Sequence, residues 1–194
     1  MFSHPFFTSN NGYAKHDELK FDLLDHRDDI CKDSNIFYGT GYSTVHSNFE
    51  YHLVYPKFAD WVLSNIEPFD EELQIDKMWV NVNPKGGFQM RHNHADCDMA
   101  GTYYVKVPPG DTGDIYFYHP AHSVETLNRI QPYWAYTHCQ IPRERDLYFW
   151  PGYNDHEVRQ NYENQERWSI SFTLKIPQKT REVIFPNSLP EILT

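Results

Sequence analysis

Residues 166–176, ERWSISFTLKI, decide the fold, because their two faces differ in kind. In an extended chain alternate side chains leave opposite faces. Trp168, Ile170, Phe172, Leu174 and Ile176 therefore point one way, and Arg167, Ser169, Ser171 and Thr173 the other. On a sheet at the surface the polar row is simply wet. In a small barrel with helices packed outside, the apolar row meets the helices and the polar row faces the lumen, where an arginine needs an anion. Residues 73–83, LQIDKMWVNVN, repeat the division, with Trp79, Asn81 and Asn83 on one face and Met78, Val80 and Val82 on the other. A lumen lined with Asn, Ser, Arg and Trp is a ligand site rather than a packed core.

Working outward from these two strands, the stretches 88–94 (FQMRHNH), 101–107 (GTYYVKV), 114–119 (DIYFYH) and 146–151 (DLYFWP) are short β-rich runs. They are punctuated by PKGG at 84–87, PPGDTG at 108–113 and PGYND at 151–155. Such spacing predicts a mainly β architecture, an antiparallel barrel or sandwich of the jelly-roll kind. Helices come first in the chain. Residues 16–33 place Leu19, Leu23, Leu24 and Ile30 among acids at helical spacing, and residues 55–69 open with Pro56 and put Phe58, Trp61, Val62 and Ile66 on one stripe. The expected organisation is one structural domain: a helical N-terminal segment over 1–72 that packs on the barrel, a β core over 73–176, and a C-terminal extension over 177–194.

Length and charge narrow the partners. A chain of 194 residues with 40 % hydrophobic content folds as one globular unit, and at this size it needs no metal or disulfide for stability. Any metal it holds then has a functional purpose. Seventeen Lys and Arg against 27 Asp and Glu give a formal charge of −10, with no basic run, which disfavours nucleic acid and acidic membrane surfaces. The three cysteines, Cys31, Cys97 and Cys139, are scattered, so neither a disulfide framework nor a thiolate zinc knuckle fits. The opening residues, MFSHPFFTSNNGY, show no signal-peptide pattern, and no stretch approaches a membrane span. The expectation is a cytoplasmic protein acting on a small molecule or a peptide.

Eleven histidines are many for this length, and most, including His4, His16, His26 and His52, lie in helical or terminal segments and read as surface residues. RHNHAD at 91–96 is different. His92 and His94 are two apart in a β-patterned run, so both leave one face and can bind one ion, with Asp96 continuing the row if the strand persists. His156, after the PGYND turn, is the natural third ligand. Eleven residues separate His156 from Arg167, enough for a hairpin that returns a cation to within one strand of the metal. A planar guanidinium there grips a carboxylate with two charge-assisted hydrogen bonds, and Ser169 can add a third. Nitrogen and oxygen ligands with open positions match non-haem Fe(II) oxygenases better than structural zinc.

The segments 79–108 (WVNVNPKGGFQMRHNHADCDMAGTYYVKVP) and 146–172 (DLYFWPGYNDHEVRQNYENQERWSISF) resemble the Fe(II)- and 2-oxoglutarate-dependent oxygenases. Within them the likeness is to the prolyl-hydroxylase-like group and to 2-oxoglutarate oxygenases of marine bacteria and phages. It covers about residues 73–176. The resemblance implies a double-stranded β-helix, the jelly-roll and cupin-like fold, with N-terminal helices on its major sheet. It implies Fe(II) held by His92, His94 and His156, and 2-oxoglutarate held through Arg167, with Tyr104, Ser169, Asn83 and Asn81 around it and Trp79 lining the pocket. The implied reaction is hydroxylation by O2, with 2-oxoglutarate decarboxylated to succinate and CO2.

One position departs from the family pattern: His94 stands where a carboxylate is usual. A frame of His94, Asp96 and His156 restores two histidines and one carboxylate, with Asp96 replacing His92. A three-histidine cupin that does not use 2-oxoglutarate is the rival enzyme, and there Arg167 is expected to form a structural ion pair with Glu166 or Asp155. A non-catalytic jelly roll that binds a sugar or peptide is the third reading. Residues 119–138, HPAHSVETLNRIQPYWAYTH, fall where a substrate-covering loop would lie, and His119 and His122 within them read as solvent-facing. Cys97 lies beside the site and is given no role.

Overall fold

A computed structural model describes residues 7–9, 12–34, 39–66, 73–118 and 137–177. Its centre is the pair anticipated from the two-faced segments. Strand β4 (Gln74–Asn83) runs antiparallel to β11 (Arg167–Lys175), from Arg167 opposite Asn83 to Lys175 opposite Gln74. On its other edge β11 pairs with β6 (Met99–Lys106), which in turn pairs with β9 (Leu147–Pro151). Two short strands, β1 (Phe7–Ser9) and β3 (Tyr42–Ser43), complete a six-stranded sheet of order β1-β9-β6-β11-β4-β3. The second sheet contains β2 (Gly39–Thr40), β5 (Phe88–His92), β10 (His156–Val158), β7 (Ile115–Tyr118) and β8 (Thr137–Gln140), in the order β2-β5-β10-β7-β8. From β4 to β7 and again from β8 to β11 the chain alternates between the sheets, and every ladder among the described residues is antiparallel. This is the double-stranded β-helix.

The alternation along β4 and β11 explains why the two faces of the six-stranded sheet have different fates. Outward, Val80, Val82, Trp168, Ile170, Phe172 and Leu174 are at most 1 % exposed and share one core with the helices. Each large apolar side chain buried this way contributes about 1.5–3 kcal/mol relative to exposure. The cover is α1 (His16–Asp25), α2 (Arg27–Lys32), α3 (Tyr51–Val54) and α4 (Pro56–Ser64). Leu19, Leu23 and Ile30 come from the first two, and Phe58 and Val62 from the last. Pro56 sits in the first turn of α4, where its missing N–H costs nothing. Inward, the same two strands present Trp79, Asn81, Arg167, Ser169 and Ser171 to the space between the sheets.

Four expectations change. The single helix predicted over 16–33 is two, broken at His26 (φ −93°, ψ 17°), whose ring N–H reaches back to the Asp22 carbonyl at 2.8 Å. The segment before residue 73 is not purely helical, since β1, β2 and β3 add edges to both sheets. His16 is fully buried rather than on the surface: its Nδ1 meets the Tyr103 hydroxyl at 2.8 Å and its Nε2 meets Glu144 at 3.1 Å. Lastly, His156 and Arg167 are not joined by a hairpin. β10 and β11 belong to different sheets, and the chain between them crosses from one to the other. The predicted covering segment falls outside the described residues except for its last two positions, which begin β8.

Candidate metal and co-substrate site

Strand β5 ends on His92, directly opposite His156 in the β5–β10 ladder. His94 lies two residues beyond the strand, in a turn fixed by its own backbone. Its N–H donates to the Gly152 carbonyl at 2.8 Å, and its carbonyl accepts the Cys97 N–H at 3.0 Å. These contacts bring three rings, two from strands and one from a turn, onto one point. The ring centroids are 4.3 Å apart for His92 and His156, and 5.2 Å for each pair involving His94. One nitrogen from each ring lies within 4.8 Å of the others, a spacing that a single ion can bridge.

The protonation states suit metal binding. His92 Nδ1 is 2.7 Å from the Met90 carbonyl and His156 Nδ1 is 3.1 Å from the Asn154 carbonyl, so both Nδ1 atoms are assigned as N–H donors. That assignment makes Nε2 the nitrogen that carries the lone pair on each ring. Burial disfavours the charged form of all three, and the neighbouring imidazoles push His94 and His156 further. His94 is pushed down to about 4, His92 is lowered, and His156 falls well below the usual histidine range. At neutral pH the cluster presents three neutral donors.

Asp96 is not among them. The strand stops at His92, and Asp96 sits exposed on the turn that follows, so it does not continue the histidine row. Cys97 is buried beside it, with its thiol donating to the His94 and Met99 carbonyls at 3.1 Å each and its pKa raised by burial to about 12. A thiol so held is neither a ligand nor a nucleophile.

Arg167 is 2 % exposed and lines the same small inner cavity as the three histidines. Its Nη1 donates to the Thr112 and Gly113 carbonyls at 3.0 and 2.5 Å, and its Nε has no partner. Among the described residues it makes no salt bridge: Glu166 is taken by Arg27, and Asp155 by Arg91 at 2.7 Å. The ion pair expected by the three-histidine rival is therefore not formed. A buried cation that no carboxylate of the described residues pairs is suited to an anionic ligand.

Around this axis, Ser169 sits between Asn81 and Tyr104 in the ladders, and all three line the inner cavity. The Tyr104 ring is 5.9 Å from the Arg167 guanidinium carbon, and burial pushes its phenol up to about 12, so it remains a donor. Asn81 is a junction: it donates to Ser171 Oγ at 2.9 Å and accepts from Ser43 Oγ at 2.8 Å and Gln89 Nε2 at 3.2 Å. Asn83, although opposite Arg167 in the ladder, lines a separate outer cleft of about 400 Å³. Trp79, Gln89, His92 and His94 border both spaces, so the histidines stand where cleft and cavity meet. Trp150 and Gln89 were not anticipated. The alternation of Tyr148 and Trp150 along DLYFWP was the available signal for the first, and Gln89, between the glycine turn and His92, carried none.

Fold and site together define a double-stranded β-helix with a histidine cluster on its axis and a buried arginine deeper inside, the architecture of the non-haem iron oxygenases. A family model described as "Putative 2OG-Fe(II) oxygenase" matches residues 77–173, half of the chain, and the chain belongs to that family. Fe(II) and 2-oxoglutarate are the cofactors of this family, and the three neutral imidazoles and the unpaired guanidinium are donors suited to each.

Solved structures share the fold at low identity. A prolyl-4-hydroxylase of Pseudomonas putida is 13 % identical, with a TM-score of 0.59 over 90 % of this chain and 94 % of that one. HygX of Streptomyces hygroscopicus, crystallised with nickel, 2-oxoglutarate and hygromycin B, is 9 % identical, with a TM-score of 0.64 over 90 % and 84 %. A prolyl hydroxylase of Trichoplax adhaerens, in complex with a hypoxia-inducible-factor peptide fragment, is 15 % identical, with a TM-score of 0.62 over 93 % and 87 %. No curated protein matches the chain. Among the described residues no helix is long and apolar enough to cross a membrane.

Proposed function

We propose that this protein is an Fe(II)- and 2-oxoglutarate-dependent dioxygenase that hydroxylates a peptide or small molecule bound in the outer cleft. The observation that carries the reading is the shared inner cavity: a metal-ready histidine cluster borders it, and within it lies a buried guanidinium that no carboxylate of the described residues pairs. His92, His94 and His156 would hold the metal, and Arg167 the far carboxylate of 2-oxoglutarate, with Tyr104, Ser169 and Asn81 completing the polar wall. When bound, Fe(II) and 2-oxoglutarate supply O2 activation coupled to oxidative decarboxylation, and through it oxidation of a C–H bond.

The chain's own residues contribute position and environment. The hydrogen bonds from His92 and His156 to backbone carbonyls fix which nitrogen faces the ion. Trp79 and Trp150 wall the cluster at ring distances of 5.7 Å from His94 and 4.8 Å from His156, which excludes bulk water from that side. The cleft, bordered by Tyr42, Phe88 and Trp79 with Asn83 and Ser43 among them, offers an apolar seat with a few polar contacts. The neighbours named above have ligands of both classes: a peptide fragment in complex with one prolyl hydroxylase, and hygromycin B bound to HygX.

The three-histidine set favours a second reading, a cupin-like metalloenzyme without 2-oxoglutarate. An anaerobic titration of the metal-free protein with Fe(II) and then 2-oxoglutarate separates the two. The charge-transfer absorption of the chelate is expected in wild type, weaker in Arg167→Ala, and absent in His156→Ala. Iron binding without that band in wild type selects the second reading.

A further inference from the structure

The inner cavity holds a second buried donor that the reading above leaves unused. Trp150 is 3 % exposed and lines the cavity, and its Nε1–H has no acceptor. Five buried side-chain polar atoms among the described residues are in this state. Two of them have ionic neighbours, His52 beside Glu50 at 3.4 Å and Glu157 beside Arg159 at 2.7 Å, and Asn154 does not border the cavity. The remaining two, Arg167 Nε and Trp150 Nε1, both belong to residues of the cavity wall.

Their surroundings differ. Arg167 lies on the Thr112 and Gly113 carbonyls and near Tyr104. Trp150 instead packs edge-on against His156 at 4.8 Å and against Phe117 at 5.0 Å, which puts it at the metal end. A buried donor without an acceptor opposes folding, and a phenylalanine would fill the same place between Phe117 and His156 without that cost. An indole there is explained by a ligand that brings an acceptor. Beside three neutral imidazoles, the favoured acceptor is an anionic oxygen, since charge-assisted hydrogen bonds are the strong ones.

We infer that the Trp150 indole N–H is a recognition donor for the metal-chelating carboxylate of a bound 2-oxo acid, complementing Arg167 at the far carboxylate. The inference rests on the proposed co-substrate, and its test distinguishes the two. Anaerobic Fe(II)-loaded protein is titrated with 2-oxoglutarate and with pyruvate, a 2-oxo acid that lacks the far carboxylate, for wild type, Trp150→Phe and Arg167→Met. Trp150→Phe is expected to weaken both acids about tenfold, the scale of one hydrogen bond to a charged group, while Fe(II) affinity stays within about twofold. Arg167→Met is expected to weaken 2-oxoglutarate and leave pyruvate unchanged. In zinc-loaded wild type, 2-oxoglutarate is expected to move the Trp150 indole proton resonance downfield, a readout that needs no variant to fold. Affinities of Trp150→Phe within twofold of wild type for both acids, or an indole resonance that does not move, overturn the assignment while leaving the co-substrate standing. Absence of 2-oxo acid binding in wild type removes both.

Discussion

His92 and His156 face one another across the β5–β10 ladder, and the residues flanking them are tied together by Asp155. One Asp155 oxygen accepts from Arg91 Nε and Nη2 at 3.0 and 2.7 Å, and the other accepts from Asn93 Nδ2 at 2.8 Å. The clamp thus joins both neighbours of His92 to the residue before His156. Arg91 and Asp155 are each about one-third exposed, 32 % and 33 %, so solvent screens the pair and its stabilising effect is about 1 kcal/mol. Asp155→Ala is expected to lower Co(II) affinity about tenfold in a spectroscopic titration, in line with other outer contacts of metal ligands. Asp155→Asn, which keeps an acceptor for Asn93, should fall between. Unchanged affinity in the alanine variant would show that strand pairing alone sets the register.

Gly152 fixes the third ring. A Cβ on this residue would lie 2.4 Å from the Cys97 carbonyl oxygen and 2.5 Å from that of His94. Both are backbone atoms of the turn that presents His94, so the strain cannot be relieved by turning a side chain aside. Gly152→Ala is expected to cost about 1–3 kcal/mol in urea unfolding. It should also lower metal affinity by more than the clamp variant does, because the displaced turn carries a ligand. A variant destabilised by that amount with metal affinity intact would detach the turn from the site.

His16 sets part of the acid limit of stability. Burial lowers its pKa, against the pull of its hydrogen bond to Glu144. Glu144 is itself drawn up by burial and further down by Lys20 and His16, ending below its usual range. Although His16 and Glu144 are within ion-pair distance, the direction of the histidine shift makes the imidazole neutral near pH 7, and Lys20 at 2.7 Å carries the charge pairing. The unfolded chain protonates His16 near 6.5. The folded chain resists, so stability present above that pH is lost as pH falls toward the folded value. The urea midpoint of metal-free protein should therefore drop from pH 7 to 5.5. The cluster histidines contribute with the same sign, so the diagnostic quantity is a smaller drop in His16→Gln.

Much of this was written in local pattern. The faces of β4 and β11 follow from a period of two that persists over nine or ten residues, and the lumen's polarity follows from the same count. His92 and His94 share a short loop-proximal motif, which needed only His156 opposite to become a cluster. What escaped has a common cause. β2 and β3 are two residues each, too short to show any period, and exist because a longer strand offers an edge. His16 is buried by Tyr103 and Glu144, 87 and 128 residues away. The crossover from β10 to β11 is a choice of sheet that eleven residues of spacing do not encode. Asp96 fell on the wrong side of a strand end, and strand ends are set by partners.

The same cluster yields the sharpest prediction about metal choice. Three neutral imidazoles add no negative charge to a divalent ion, whereas the usual set in this fold includes a carboxylate. Imidazole suits zinc, copper, nickel and iron, and carboxylate shifts preference toward harder ions such as manganese. His94→Asp is therefore expected to lower the ratio of Zn(II) to Mn(II) affinity by about tenfold or more in competition titrations. The added negative charge should also weaken 2-oxoglutarate binding several-fold, since the co-substrate is a dianion meeting a less positive site. The two effects come from one substitution but act in different experiments, one on the ion and one on its anionic partner. Asp96 supplies the control: Asp96→Asn, on the exposed turn, should change neither quantity. A zinc-to-manganese ratio indifferent to His94→Asp but sensitive to Asp96→Asn would bring Asp96 into the ligand set and require the turn to refold around the metal.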